Sequence, residues 1–305
     1  MKSTGVASAF ICALLVTTFG LSPTAPRAEE LQRIPVRALA EAPRIDGTLT
    51  DWGPDDWQNV TTKPALDQSE RARFGMTPDD QNRTGTLTVR LKAGVHRGRF
   101  YLALRYPDAS PDTFYRMWEW RGERYGEGRQ REDMLALRFH LDGDFDRSML
   151  SARDYRTDVW LWSAARTNPA GIAEDMSHHM TTALLENAAE YTSPDGRTIY
   201  IRKRRDAGDA PYRMLPRPKE HRGDKLPSFE LAPPSGSAAD VAARGEWQSG
   251  HWQLEFGRAL DTGHPDDAAF RPGRNILGQI AVFNKGFAEH KSISEPLNFD
   301  FSAIR

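Results

Sequence analysis

The run Asp158-Val159-Trp160-Leu161-Trp162 alternates with a period of two, and that rhythm constrains the chain more than any other feature. Successive side chains of an extended strand leave on opposite faces. The run therefore predicts a central strand with Trp160 and Trp162 on one face and Val159 and Leu161 on the other. Short runs of the same kind recur. Residues 86–94 (TLTVRLKAG) and 99–108 (RFYLALRYPD) read as a hairpin turning at His96-Arg97-Gly98. Residues 245–260 read as a second hairpin around Gln248-Ser249-Gly250. The stretches 31–39, 134–144, 198–202, 276–284 and 296–301 add further strands. About ten short strands separated by turn residues predict an all-β, mainly antiparallel fold: a single β-sandwich with long loops and a few short helices. Residues 180–189 are the best helix candidate. Residues 109–133 read as a long loop with one helical turn. Residues 203–237, dense in Pro, Gly and charge, read as an ordered excursion within one domain rather than a linker.

The first 28 residues have the pattern of a targeting segment. Lys2 supplies a positive start, and residues 6–21 are apolar but too short to span a bilayer comfortably. A cleavage after Ala28 is expected, with no twin-arginine pair, so residues 29–305 would be a periplasmic domain exported by general secretion. The only cysteine, Cys12, lies in that segment. The mature chain then has no disulfide, no thiolate metal site, no iron–sulfur cluster and no covalent CxxCH haem. Losing Lys2 and Arg27 takes the formal charge from −1 to −3, which gives no basis for binding nucleic acid. No second long apolar stretch follows, so the mature chain is expected to lack a membrane span.

Most chemistry-bearing patterns dissolve on inspection. The alternating acids Asp142, Asp144 and Asp146 suggest calcium, but an EF-type loop counted from Asp142 needs Gly at its sixth place and Glu at its twelfth. Arg147 and Arg153 stand there, so a solvated turn is expected. His178-His179 read as surface residues of a polar loop. There is no Ser/His/Asp order, no P-loop and no dinucleotide fingerprint, so no catalytic residue is assigned. Eight tryptophans invite a carbohydrate-binding reading, although tryptophan in a sandwich is mostly core. Met149 and Lys291 are unremarkable as residue types, since methionine usually fills cores and lysine is usually solvated.

Three long runs change their standing: residues 144–176 (DFDRSMLSARDYRTDVWLWSAARTNPAGIAEDM), 234–267 (PSGSAADVAARGEWQSGHWQLEFGRALDTGHPDD) and 281–301 (AVFNKGFAEHKSISEPLNFDF). Together with RIDGTLTDW at 44–52 and the first hairpin, they resemble the ethylbenzene dehydrogenase γ-subunit-like family of haem-binding domains, also represented by cytochrome c-552 and DMSO reductase-like proteins. The resemblance covers nearly the whole mature chain. It implies one non-covalent haem b held at a sandwich edge between a methionine and a lysine. Met149, shortly before the DVWLW strand, matches the first position. Lys291, in a K-S-x-S setting, matches the second, with neighbouring His290 as its competitor and Met134, Met176 and His140 as weaker ones. Residues 144–180, with Trp160 and Trp162, would form one wall of the pocket, and residues 281–301 the other. A thioether favours ferrous iron, and a lysine ligates only as the neutral amine. The implied function is electron transfer as a non-catalytic subunit or module beside a molybdenum oxidoreductase or a respiratory cytochrome. A haem-free carbohydrate- or ligand-binding sandwich is the alternative, and a haem-free structural subunit a third reading.

Overall fold

The computed structural model describes residues 31–73, 84–285 and 291–305. The proposed targeting segment, residues 1–28, and His290 lie outside the described residues. The strands are β1 (Gln32–Ala38), β2 (Gln58–Pro64), β3 (Leu87–His96), β4 (Arg99–Pro107), β5 (Trp118–Trp120), β6 (Tyr125–Glu127), β7 (Met134–Gly143), β8 (Tyr155–Ser163), β9 (Glu174–Thr181) and β10 (Ala189–Thr192). They continue with β11 (Thr198–Arg205), β12 (Tyr212–Met214), β13 (Lys225–Leu226), β14 (Phe229–Leu231), β15 (Ala242–Gln248), β16 (His251–Ala259), β17 (Asn275–Phe283), β18 (Ser292–Ser294) and β19 (Leu297–Asp300). One short α-helix, α1 (Gln68–Arg73), follows β2. The fold is all-β.

The main sheet runs β10-β11-β9-β8-β7-β17-β18-β2-β3-β4-β16-β15, with β1 and β19 joined at its middle. It folds over on itself, because its two halves each present one apolar face. Phe100 of β4 meets Phe139 of β7 edge-on at 6.2 Å, and Trp252 of β16 meets Trp162 of β8 at 4.9 Å between ring centroids. These rings belong to one continuous buried core. Pairing is antiparallel except at β1, which runs parallel to both β19 and β3. Both predicted hairpins form. Their two-residue turns, Arg97-Gly98 and Ser249-Gly250, hold both residues at positive φ, the backbone that matches strand twist in a tight hairpin.

Three expectations are corrected. Residues 180–189 are not a helix: β9 ends at Thr181 and β10 begins at Ala189. A ten-residue helix needs an apolar face buried against the core, and Leu184 is 82% exposed. Residues 109–133 hold no helical turn but the strands β5 and β6, which pair with each other, β5 pairing also with β13 of the second excursion. Each segment supplies hydrogen-bond partners for the other, so neither needs to remain a loop. His178-His179 lie on β9 rather than on a loop. Because they are adjacent on a strand they point to opposite faces, and His178 is buried.

Strands β7 and β8 matter most for function, because both of their faces are used. Leu135, Leu137 and Phe139 of β7 and Trp160 and Trp162 of β8 enter the core. Their register partners on the opposite face, Ala136 with Leu161 and Arg138 with Val159, look into a separate cavity.

Candidate functional site

That cavity has a volume of about 390 Å³, within the size range of small-molecule sites. Its floor is built from alternate residues of neighbouring strands: Ile201 and Lys203 of β11, Met176 and His178 of β9, Val159 and Leu161 of β8, Ala136 and Arg138 of β7, and Ala281 and Phe283 of β17. The far side is closed by the loop between β7 and β8, which contributes Met149 and Leu150, and by Leu66, Tyr115 and Tyr191. Lys291 stands at the start of β18, followed on the lining by Ile293. Met149 and Lys291 thus line one cavity although far apart in the chain.

The Met149 loop is fastened by a buried arginine. Arg138 donates from Nε to Gln279 Oε1 at 2.6 Å and from Nη2 to the carbonyls of Asp146 and Arg147 at 2.5 and 2.8 Å. Gln279 Nε2 donates to the Arg147 carbonyl at 3.1 Å and to that of Ser294 at 2.7 Å, so one side chain joins the loop to β18. Tyr155 accepts from Arg138 and donates to the Ser148 carbonyl at 3.2 Å. The backbone on the N-terminal side of Met149 is therefore tied to β7, β8 and β17, and the thioether packs beside Tyr155, Met180 and Ile201. On the opposite wall the Lys291 carbonyl accepts from Ala65 N at 3.0 Å, and the Lys291 Nζ lies 6.0 Å from the centre of the Phe283 ring.

His178 is the residue that reading the sequence missed. It lines the cavity, is buried, and neither ring nitrogen has a hydrogen-bond partner. Burial, with the positive charges of Lys203, Arg138 and Lys291, holds it well below the ordinary histidine range, so the ring is neutral. The alternation Met176-x-His178-x-Met180 carried the signal, since it places three such residues on one face of a strand. Among the described residues, the lining includes five basic side chains (Arg138, Arg147, Arg166, Lys203 and Lys291) and no acid, although Arg166 pairs with Glu132 and Arg147 with Glu295 just outside it. Such a site suits an anionic ligand.

Other candidates are placed elsewhere. Trp160 and Trp162 do not line the cavity; they are fully buried in the core on the opposite face of β8, where Trp162 Nε1 donates to Asn168 Oδ1 at 3.0 Å. Their large rings fill the space between the sheets, and the smaller Val159 and Leu161 leave room on the cavity side. Met134 and Met176 do line the cavity. His140 does not: its Nε2 lies 2.9 Å from the Gly143 carbonyl at the exposed end of β7. In the acidic turn, Asp142 pairs with Arg156 and Asp146 with Arg153.

The match to known families decides the kinship. The family model described as ethylbenzene dehydrogenase matches residues 51–294, most of the chain. The chain belongs to the ethylbenzene dehydrogenase family. No curated protein matches it. Within this ethylbenzene dehydrogenase family member, the matched span contains every strand that lines the cavity, together with Met149 and Lys291. No helix among the described residues is long and apolar enough to cross a membrane.

Proposed function

We propose that the chain is a haem b-binding electron-transfer subunit of an oxidoreductase complex, with Met149 and Lys291 as the two axial ligands. The observation that carries this reading is the convergence of a thioether and an amine, 142 positions apart (291 − 149), on one largely apolar cavity. The donor set fits the group. Methionine sulfur and a neutral amine both bind haem iron, apolar strand residues accept a flat ring, and basic side chains match two propionates. The unpartnered nitrogens of His178 offer the ligand a hydrogen bond that no protein group supplies.

When bound, the haem would supply one-electron chemistry, with Met149 and Lys291 as the residues that would hold its iron. The chain's own part is to hold the two ligands, keep water from the ring and match its charge. With no cysteine in residues 29–305, attachment is non-covalent. The partner is an oxidoreductase, such as a molybdenum enzyme or a respiratory cytochrome, and the compartment is the periplasm after cleavage near Ala28. The haem-free carbohydrate-binding alternative loses support from β8, since Trp160 and Trp162 are interior rather than offered to a sugar.

The test is the absorption spectrum of the full protein purified from a haem-replete host. A Soret band with sharp α and β bands on reduction is expected, and the haem should leave with acidified organic solvent. A colourless protein that takes up no added haem overturns the reading. So does haem that stays on the denatured chain.

A further inference from the structure

Behind the cavity wall, on the core side of the same two strands, lies a second cluster of unusual charge. Asp158 of β8 and Asp175 of β9 are fully buried, and Asp267, in the segment before β17, is 8% exposed. One oxygen from each lies within 4.8 Å of those of the other two. Oxygen ligands sit about 2.4 Å from a calcium ion, so two of them on one ion are at most ~4.8 Å apart. The three carboxylates are therefore close enough to share one cation.

Arg258 of β16 pairs with all three carboxylates, and His264 Nδ1 lies 3.8 Å from Asp267 Oδ2; the guanidinium alone does not balance the charge. Its Nη1 lies 2.7 Å from Asp158 Oδ2, 3.5 Å from Asp267 Oδ1 and 3.7 Å from Asp175 Oδ2, while Nη2 donates to the Ala268 carbonyl. Only the Asp158 contact is a hydrogen bond. A separate residue adds to the surplus. Asp206, just after β11, is 4% exposed, and neither of its carboxylate oxygens meets an N–H or hydroxyl donor; its side-chain neighbour is the carboxyl of Asp266. Its backbone N–H donates to the Asp175 carbonyl at 3.1 Å, which brings it beside the cluster, and its carboxylate is repelled by those of Asp266, Asp158 and Asp267. The three clustered carboxylates against one guanidinium leave a formal charge of −2, and Asp206 adds to it from outside the group. Of the cluster's six oxygens, Asp158 Oδ1, Asp267 Oδ1 and both of Asp175 are buried and receive no hydrogen bond from an N–H or hydroxyl donor. Buried unpaired charge of this kind costs several kcal/mol per group unless something compensates it.

We propose that Asp158, Asp175 and Asp267 form a structural site for one hard divalent cation of the calcium class, which ties β8, β9 and the segment before β17 together behind the cavity. The donors are all oxygen, which selects calcium or magnesium over softer metals. Calcium is favoured because it accepts six to eight oxygens in loose geometry, whereas magnesium prefers to keep its water. The competing way to neutralise the cluster is with protons, and burial does raise Asp175 well above the carboxylate range and Asp206 to about 8. The two possibilities predict opposite responses to metal.

The test uses the full protein, stripped with EGTA and then titrated with calcium chloride. One ion should bind per chain and raise the melting temperature by about 5–10 °C at a hundredfold excess over Kd. Terbium, a calcium mimic, should show emission sensitised by Trp160, whose ring lies 4.8 Å from the Arg258 guanidinium, and calcium should quench it. Asp175→Asn and, separately, Asp267→Asn should abolish the calcium shift and the emission. Each should leave the metal-free melting temperature equal to or above that of the wild type, because each removes one repelling charge. No calcium-dependent shift and no terbium emission in the wild type would mean that protons neutralise the cluster, and would overturn the proposal. A calcium shift that survives in both variants overturns it as well.

Discussion

At the scale of single residues, the cavity separates groups that hold a ligand from groups that hold the wall. Met149→Ala and Lys291→Ala each remove one proposed axial donor while leaving the strands intact. Each variant is expected to lose the six-coordinate low-spin spectrum and to retain less haem per chain, read by absorption and electron paramagnetic resonance. His178→Ala is expected to keep the low-spin spectrum and to release haem faster to a scavenger such as apomyoglobin. A His178 variant that loses the low-spin signal while the Lys291 variant keeps it would move the second ligand to β9. On the core face the limits are steric. A Cβ on Gly245 would lie 2.5 Å from the Trp162 ring and would also meet the Leu254 side chain. Gly245→Ala should therefore destabilise the chain by about 1–3 kcal/mol, the usual cost of overpacking, measured by urea unfolding.

Among the elements, β8 serves two environments at once, and its period of two keeps them apart. Replacing Trp160 with Ala opens a void among Phe139, Phe256 and Phe270. It should cost about 3–5 kcal/mol, as large-to-small changes of aromatic core residues do. Leu161→Trp acts on the other face. It adds volume to the cavity without entering the core, so the melting temperature of the haem-free protein should change little while the Soret absorbance per chain falls sharply. If Leu161→Trp instead unfolds the protein and loads haem normally wherever it folds, the two faces of β8 are not separate. The loop before β8 follows a related logic. Arg138 and Gln279 hold its N-terminal side by backbone carbonyls, so its position depends little on its own side chains. Gln279→Leu keeps the volume, removes the bond to the Arg147 carbonyl together with those to Arg138 and Ser294, and should loosen Met149 first.

For the whole molecule, buried acids set the response to pH, and two of them stand outside the Asp158 cluster. Burial raises Asp133 to about 7, against hydrogen bonds from Asp112 N and Trp252 Nε1. It also raises Glu255 to about 7, although Trp52 Nε1 donates to it at 2.7 Å. Both groups bind a proton more tightly folded than unfolded. Their contribution to stability is complete below their unfolded values near 4 and is lost as pH rises through about 7. Urea unfolding of the haem-free protein in EGTA should accordingly show a higher midpoint at pH 5 than at pH 8. Asp133→Asn with Glu255→Gln should flatten that slope. A midpoint that rises from pH 5 to pH 8 would show that these two carboxylates are ionised in the fold.

The strands β3, β4, β8, β15, β16 and β17 are legible from local pattern alone, because a half-buried strand alternates and a two-residue hairpin demands residues that tolerate positive φ, as at Arg97-Gly98 and Ser249-Gly250. The faces of Trp160 and Leu161 follow from the same alternation. Which face meets the core and which the cavity does not follow, because both faces of β8 are covered and hydropathy cannot rank two buried sides. Met149 and Lys291 could be named only through resemblance to a family, since neither residue type announces a ligand. Their meeting depends on β17 pairing with both β7 and β18. His178 escaped because two adjacent histidines in a polar stretch look solvated until β8 and β11 flank them. The cluster of Asp158, Asp175 and Asp267 is invisible in one dimension for the same reason: each acid sits in ordinary surroundings along the chain, and only strand pairing and the fold of the sheet bring the three around Arg258, with Asp206 beside them. Short-range geometry is written in neighbours along the chain, whereas a site made by long-range pairing exists only once the sheet has closed.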